Sequence, residues 1–234
     1  MVKRLKVLVS LLVIMINIVL IASPTGAIET DEFISGDWKY KFVGDEIMVT
    51  RYIGNETDIV IPEVIEGINV TMIGQDAFYY PNEIKTIRIS SSITEIVYLW
   101  SVRYSPFEKC SFLENIYVDD MNKKFMSLNG VLYTKDKTGL LQYPKGRRDV
   151  FFEIPEEATY CGNNAFSGCK YLKYISLGKN LKGIGNRAFS DCTELTTINI
   201  PDGMEKIGHY AFTNCKKITN LLIPNSVNEI GESE

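Results

Sequence analysis

The side chains in this sequence that are best suited to catalysis or metal binding are five cysteines and a single histidine. Four of the cysteines hold equivalent positions in a repeating pattern: Cys110, Cys169, Cys192 and Cys215. In adjacent stacked coils such residues have Cα atoms about 4.8 Å apart, which is within disulfide range. Two interpretations follow, a ladder of buried free thiols or a bridge from Cys192 to Cys169 or Cys215. Because the number of cysteines is odd, at least one thiol stays free.

Cys161 and His209 are the pair that nucleophilic catalysis would require. Cys161 replaces a buried apolar residue, whereas His209 takes the turn position held elsewhere by Asn163 and Asn186. These positions lie two coils apart, about 9–10 Å, and a catalytic dyad needs contact at about 3 Å. The sequence contains no nucleophile elbow, zinc-protease motif or phosphate-binding loop, and no CxxC or paired histidines. It therefore predicts no catalytic residue, no metal site and no cofactor, and the protein is not expected to be an enzyme.

A repeat of 23 residues determines where these side chains lie. One unit reads as a strand alternating apolar and polar residues, such as Ile198-Asn199-Ile200, ended by Pro201. A glycine then supplies a tight turn, and an Ala-Phe pair fills the interior. A single unit cannot bury its apolar side, but stacked units share one core. The columns that recur at this spacing are Ala165/Ala188/Ala211, Phe166/Phe189/Phe212, Gly162/Gly185/Gly208/Gly231 and Ile154/Leu177/Ile200/Ile223.

The same template continues towards the N-terminus and predicts about seven coils over residues 59–234. Three insertions interrupt it, near 63–70, near 98–106 and over 119–149. Within residues 28–58, two β-type runs around Gly44-Asp45 predict a hairpin that caps the first coil. After Ile230-Gly231 the template calls for another Ala-Phe pair, which does not follow. The alternatives are a shortened or fraying last coil, or an end covered by another molecule.

The motif running from Leu195 through Ile198, Pro201 and Gly208 to Cys215 resembles the BspA-like, Treponema-pallidum-type leucine-rich repeat. The resemblance covers roughly residues 59–231. Residues 129–144 are similar to a hairpin that decorates this family, and a turn at 135–139 independently supports a hairpin. The predicted fold is a β-rich, right-handed leucine-rich-repeat solenoid with an N-terminal hairpin cap and a hairpin insertion. The resemblance implies a secreted or cell-surface protein that binds proteins of a host or neighbouring cell.

The first 27 residues are predicted to be a signal peptide. Lys3, Arg4 and Lys6 precede an apolar core over 7–22, and cleavage is expected after Ala27. A core of this length is short of the roughly 20 residues that span a bilayer, although an uncleaved anchor is the alternative. Cleavage leaves no stable membrane span and removes three cations and no acids, so the net charge falls from −4 to −7. An acidic surface disfavours nucleic-acid binding.

Residues between the core positions of each strand are expected to point outward in two columns. One column runs through Thr86, Asn115, Phe151, Tyr174, Thr197 and Asn220, and the other through Arg88, Tyr117, Glu153, Ser176, Asn199 and Leu222. Such a mixture of aromatic, amide and hydroxyl groups suits protein recognition. The alternative interpretation is an ordinary solvated sheet surface without a binding role. The 119–149 insertion is a second candidate surface. The candidate ligand-binding residues are Arg88, Tyr117, Tyr174, Ser176, Thr197, Asn199 and Asn220.

The predicted function is protein binding or adhesion outside the cell, and the alternative is a passive spacer that self-associates end to end.

Overall fold

The computed structural model describes residues 31–79, 83–97 and 105–232. Throughout these residues the regular elements are short β-strands joined by turns, and no segment is helical. This part of the chain accordingly offers no helix of the length and apolarity that crossing a membrane requires. The predicted signal peptide at 1–27 lies outside the described residues, as do residues 98–104 of the second predicted insertion.

The strands of the described residues follow one another at short intervals. In chain order they are β1 (Phe33–Ser35), β2 (Trp38–Val43), β3 (Glu46–Tyr52), β4 (Asp58–Val60), β5 (Val64–Ile65), β6 (Ile68–Ile73), β7 (Thr86–Ile89), β8 (Glu95–Ile96), β9 (Asn115–Val118), β10 (Phe125–Leu128), β11 (Val131–Thr134), β12 (Gly139–Gln142), β13 (Phe151–Glu153), β14 (Tyr160–Cys161), β15 (Tyr174–Ser176), β16 (Gly183–Ile184), β17 (Thr197–Asn199), β18 (Lys206–Ile207) and β19 (Glu229–Ile230).

The strands predicted from apolar alternation form two parallel, three-stranded sheets. Their orders are β4-β7-β9 and β13-β15-β17. Buried residues are in register across each sheet, with Ile59 beside Ile87 and Ile87 beside Ile116 in the first, and Ile175 beside Ile198 in the second. Apart from Thr86, the residues on either side of these buried positions are exposed or half-exposed. We call the outward surface of these two sheets the strand face.

A second set of very short strands runs along the solenoid, and its members other than the predicted β11-β12 hairpin were not predicted. The order is β10-β11-β12-β14-β16-β18-β19, and pairing is parallel from β12 onward. Each pair joins equivalent residues of successive repeats, as Cys161 does with Ile184, and Ile207 with Ile230. Each repeat therefore passes through both walls of the coil, which is the arrangement of a β-solenoid.

Phenylalanines at the repeated interior position stack ring on ring, as predicted. Phe166 lies 5.0 Å from Phe189 between ring centroids, and Phe189 lies 5.4 Å from Phe212. Tyr143 extends the same stack at 5.1 Å from Phe166. Phe78 and Phe107 stack at 5.6 Å in the first half. The rings follow the spacing of neighbouring coils, so equivalent side chains sit over one another and share an interior.

The repeated glycine begins a tight turn, as predicted, since Gly162 O and Gly185 O accept the N–H groups of Ala165 and Ala188 at 3.3 Å. Gly162, Gly185 and Gly208 do not adopt positive φ. An ideal Cβ at Gly208 would lie only 2.5 Å from the backbone nitrogen of Asn186 in the preceding coil, so the missing side chain permits close stacking. Positive φ falls instead on two other columns, which are Asn164/Arg187/Tyr210 and Gly168/Asp191/Asn214.

The 119–149 insertion contains the predicted hairpin, with β11 antiparallel to β12, and it also contributes to the core. Val131 and Tyr133 are buried with the second half of the solenoid, whereas Leu132 is buried with the first half. The backbone N–H of Ile116 in β9 donates to Gly130 O at 2.8 Å. The insertion thus occupies the junction between the two face sheets, and the buried residues form two clusters that meet there.

A β-hairpin caps the first coil, as predicted. β2 and β3 pair antiparallel around Gly44-Asp45, and β3 pairs parallel with β6. Trp38 is buried, with its ring centroid 5.0 Å from that of Tyr52 and 6.2 Å from that of Phe78. β1 adds a further antiparallel strand. The hairpin therefore covers the first stacked phenylalanine and protects that end of the core from water.

Candidate binding face

In the first face sheet, an arginine and a tyrosine from neighbouring strands form one exposed pair. Arg88 of β7 and Tyr117 of β9 are direct partners in the register. The guanidinium carbon of Arg88 lies 5.0 Å from the centre of the Tyr117 ring, which is cation–π geometry. Both side chains are exposed, so both stand on the strand face as expected. The stacking holds the aromatic ring in place without removing it from solvent.

Thr86 was expected to point outward and is instead buried. It lies on the middle strand of its sheet, between Asp58 and Asn115 in the register. A short side chain flanked on both sides has little access to water. Asn115 is itself only half-exposed. This part of the first outward column therefore offers less contact surface than the sequence suggested.

The second face sheet brings four of the candidate residues together. Tyr174 pairs with Thr197 and Ser176 pairs with Asn199 in the parallel register of β15 and β17. Tyr174, Thr197 and Asn199 are exposed, and Ser176 is half-exposed. The hydroxyl and amide groups can donate and accept hydrogen bonds, while the tyrosine ring provides apolar contact area. This quartet is a compact polar and aromatic surface on rigid strands.

The outward columns do not run unbroken along the solenoid. Asn115 and Phe151 belong to separate sheets, because the turn at Asn129-Gly130 lies beside β9. Asn220 is exposed, but residues 218–224 do not form a strand. The last repeat has a neighbouring coil on one side only in the described structure, which leaves its face segment without a second ladder partner. Candidate residues are therefore divided between two short surfaces and one irregular segment.

Phe151 was predicted to point outward beside Tyr174, whereas sequence reasoning missed the neighbouring Phe112, Val150 and Tyr171. Phe112, Val150, Phe151 and Tyr171 are all exposed on this side of the molecule. Phe151 pairs directly with Tyr174 across β13 and β15. The signal was present, because Phe112 and Tyr171 both lie two residues after a repeated cysteine, at Cys110 and Cys169. That position precedes the strand and therefore lies outside the two outward columns.

The repeated cysteines form a ladder of free thiols. Cys192 Sγ donates to Phe166 O at 3.1 Å, and Cys215 Sγ donates to Phe189 O at 3.0 Å, each reaching back into the preceding coil. A hydrogen bond with Cys169 raises the pKa of Cys192, and one with Cys192 raises that of Cys215, with burial adding to both. Burial raises the pKa of Cys110 to about 12. Cys110, Cys192 and Cys215 are therefore protonated packing groups and poor nucleophiles.

His209 has a structural role in a ladder of polar turn residues. Asn163 Oδ1 accepts the backbone N–H of Asn186 at 2.8 Å, and Asn186 Oδ1 accepts that of His209 at 2.7 Å. His209 Nδ1 continues the series by accepting the N–H of Glu232 at 2.9 Å. Cys161 is fully buried while His209 is exposed, so the two do not form a dyad. Burial also raises the pKa of Cys161 well above that of a free thiol.

No grouping of three or more histidine, cysteine or acidic side chains within the described ranges has an arrangement suited to a metal ion. Several acidic and basic side chains there pair across neighbouring coils. Examples are Lys217 with Glu194 at 2.7 Å and Lys179 with Glu156 at 2.8 Å. These exposed pairs contribute little to stability.

Comparison with known proteins identifies the repeat. A family model described as a BspA type leucine-rich repeat region matches residues 58–128 and 150–234 in six copies. A search of curated proteins gives no match. The chain is similar in structure to the pneumococcal vaccine antigen PcpA, with a TM-score of 0.53 and 20% identity over 86% of this chain and 78% of that one.

A leucine-rich repeat protein from Bacteroides ovatus is also similar. The TM-score is 0.54 and the identity 26%, over 85% of this chain and 55% of that one. The unmatched segment between the two family-model regions, 129–149, falls within the insertion that joins the two halves. Repeat period, stacked interior and family match agree, and the chain belongs to the BspA-type leucine-rich repeat family.

Proposed function

We propose that this protein acts outside the cell membrane as a protein-binding or adhesion module that uses the strand face. The observation that carries the proposal is the exposed quartet of Tyr174, Ser176, Thr197 and Asn199 on two paired strands. Rigid strands lower the entropic cost of binding, because the contact groups are already positioned. Leucine-rich repeat families generally serve protein interaction, which supports this choice over catalysis.

Extracellular location is part of the same proposal. It is supported by the predicted signal peptide at 1–27 and by the similarity to a protein described as a vaccine antigen. The partner is proposed to be a surface protein of a host or neighbouring cell. Arg88 and Tyr117 in the first face sheet are proposed to widen the contact, and Asn220 to lie at its margin.

Site-specific photo-crosslinking tests the proposal directly. A benzophenone amino acid replaces Tyr174 in one preparation and Tyr160 in another, since Tyr160 is a similarly exposed tyrosine on β14. Each chain is incubated with intact candidate cells, irradiated and analysed by mass spectrometry. Adducts with a surface protein from position 174, but not from 160, are expected. Equal labelling from both positions, or none from 174, would contradict binding through this face.

End-to-end self-association is a second candidate, favoured by one observation. Ile223 and Ile230 in the last described coil are exposed, and apolar side chains there would be covered in a stacked assembly. Sedimentation velocity over a range of concentrations separates the two functions. Association that disappears in Ile230→Lys would support assembly, whereas a monomer at all concentrations would rule it out.

A further inference from the structure

A cluster of exposed apolar side chains lies on and beside the second face sheet. Its members are Phe112, Val150, Phe151, Tyr171 and Tyr174, which are between 43% and 55% exposed. We call this cluster the aromatic patch. Exposed apolar surface of this kind, gathered in one place, marks an interaction site more often than a packing accident.

The members of the aromatic patch come from three successive coils. Phe151 and Tyr174 are direct partners in the register, and Val150 O accepts the N–H groups of Lys173 and Tyr174. Gly146 N–H donates to Leu113 O at 2.8 Å, which places the segment leading to Val150 against the chain beside Phe112. The patch is therefore continuous across the junction between the two halves of the solenoid.

The repeat itself does not require apolar residues at these positions. One coil further along, Tyr171 is replaced by Glu194 and Tyr174 by Thr197, and the equivalent of Val150 two coils on is Thr196. That coil packs the same buried Leu195 and Ile198 into the core. Since the fold tolerates polar side chains there, the aromatic patch is a local property of this chain and points to a contact with another molecule.

Positive charge borders the aromatic patch. The Arg148 guanidinium carbon lies 5.7 Å from the centre of the Tyr171 ring, and Lys170 and Lys173 are exposed on the same turn. Nearby Glu194 forms an ion pair with Lys217, so its charge is largely matched. Glu114 and Glu153 stand exposed at the edges. Three cations thus face two unpaired acids, so the border of the aromatic patch is slightly positive, whereas the chain as a whole has a net charge of −4.

We propose that the aromatic patch binds an extended, acidic polypeptide segment of the partner. Apolar side chains of that segment pack on Phe151 and Tyr174, and its carboxylates meet Arg148, Lys170 and Lys173. An acidic glycan would satisfy the cations but would leave the five apolar side chains against polar groups, which is why a polypeptide is the better fit. The inference rests on the proposed function, because it specifies the chemistry of the partner for the same face.

Selection from random peptides displayed on phage tests this inference without knowing the partner. The full chain is immobilised, and enriched peptides are synthesised and measured by fluorescence anisotropy. Peptides combining Asp or Glu with aromatic or aliphatic residues are expected. Their affinity should fall about tenfold or more in Phe151→Ser/Tyr174→Ser, because aromatic side chains dominate such contacts. Lys170→Glu/Lys173→Glu should cause a similar loss of affinity. This loss should become smaller as the salt concentration rises, because salt screens the charges.

Two variants serve as matched controls. Tyr160→Ser removes a comparably exposed tyrosine from the other wall, and Lys123→Glu/Lys124→Glu makes the same change of charge at exposed positions of the insertion. Both should retain the wild-type affinity, and thermal unfolding should confirm that all four variants are folded. A loss of affinity in the controls as large as in the patch variants would overturn the assignment of the site.

The remaining outcomes separate this inference from the function on which it rests. The acidic-segment proposal would be overturned if no peptide were enriched. It would also be overturned if the enriched peptides lacked acidic residues and bound Lys170→Glu/Lys173→Glu with the wild-type affinity. If crosslinking from position 174 still succeeds, the binding face itself stands. Binding of heparin with the same dependence on these lysines, and no peptide binding, would replace the polypeptide with an anionic glycan.

Discussion

Asn122 is predicted to be a main attachment point of the insertion, although it has no counterpart in the repeat. Its side chain is fully buried. Nδ2 donates to Ser90 O and Ile93 O, both at 2.9 Å, while Oδ1 accepts the N–H groups of Lys124 at 2.9 Å and Phe125 at 2.8 Å. One amide thus joins the start of the insertion to the preceding coil and uses its full hydrogen-bonding capacity.

Replacement of Asn122 by Ala should lower the free energy of unfolding by about 3–5 kcal/mol. A buried polar group left without a partner costs about 1–3 kcal/mol, and the change strands two acceptors and two donors. The total stays below the full sum because Lys124 and Phe125 are not fully buried and water can reach their N–H groups. Urea denaturation followed by far-UV circular dichroism gives the value.

Two further variants sharpen the test of Asn122. Lys123→Ala changes an exposed neighbour and should stay within about 0.5 kcal/mol of the parent chain. Asn122→Asp keeps both acceptor contacts but turns an oxygen towards Ser90 O and Ile93 O, so it should also be destabilising at pH 7. A loss below about 1 kcal/mol in Asn122→Ala would refute the argument that this amide fastens the insertion.

Three other predictions follow from the coil geometry. Gly208→Ala should lower the free energy of unfolding by about 2–4 kcal/mol, because the new Cβ would lie 2.5 Å from Asn186 N. The control Gly183→Ala should be nearly neutral, because a Cβ there meets nothing within 4 Å. Equal effects of the two variants in chemical denaturation would be inconsistent with close stacking. Hydrogen bonds from Thr134 and Thr138 lower the pKa of Asp136 to about 2. Their stabilising effect is therefore complete above about pH 4 and is lost as the pH falls through about 2. A carboxyl titration by NMR with an ordinary midpoint would disprove this turn contact. Ellman's reagent at pH 8 should react first with half-buried Cys215 and with all five thiols only after unfolding, because the other four cysteines are buried. Fewer than five reactive thiols in the unfolded, unreduced chain would instead indicate a disulfide bridge.

The repeating interior could be predicted from the sequence because several independent columns share one spacing. Phe166, Phe189 and Phe212 stack in the structure at the interval that their numbering implies. The hairpin around Gly44-Asp45 was also predictable, since two β-type runs flank a turn. In both cases the local pattern and the global arrangement depend on the same residues.

Other features depended on contacts that a pattern does not reveal. The sequence shows a glycine at 208 but not whether φ or the approach of another coil requires it, and the structure shows that the approach of Asn186 does. The insertion occurs once, so no second copy revealed that Val131 and Leu132 enter the cores of different halves. Thr86 is buried by its neighbours in the sheet, which depends on the register. The binding role of Arg88, Tyr117, Tyr174, Ser176, Thr197, Asn199 and Asn220 stays a prediction.

Cell binding by paired lysine substitutions tests the use of the strand face most directly. Tyr174→Lys/Thr197→Lys changes two register partners on the face, and Tyr160→Lys/Gly183→Lys changes two register partners on the other wall. Fluorescently labelled chains are compared by flow cytometry on the same cells, after thermal unfolding confirms that both are folded. Binding should be lost in the first variant and retained in the second. Retained binding by the face variant, or equal loss in both, would contradict recognition through the strand face.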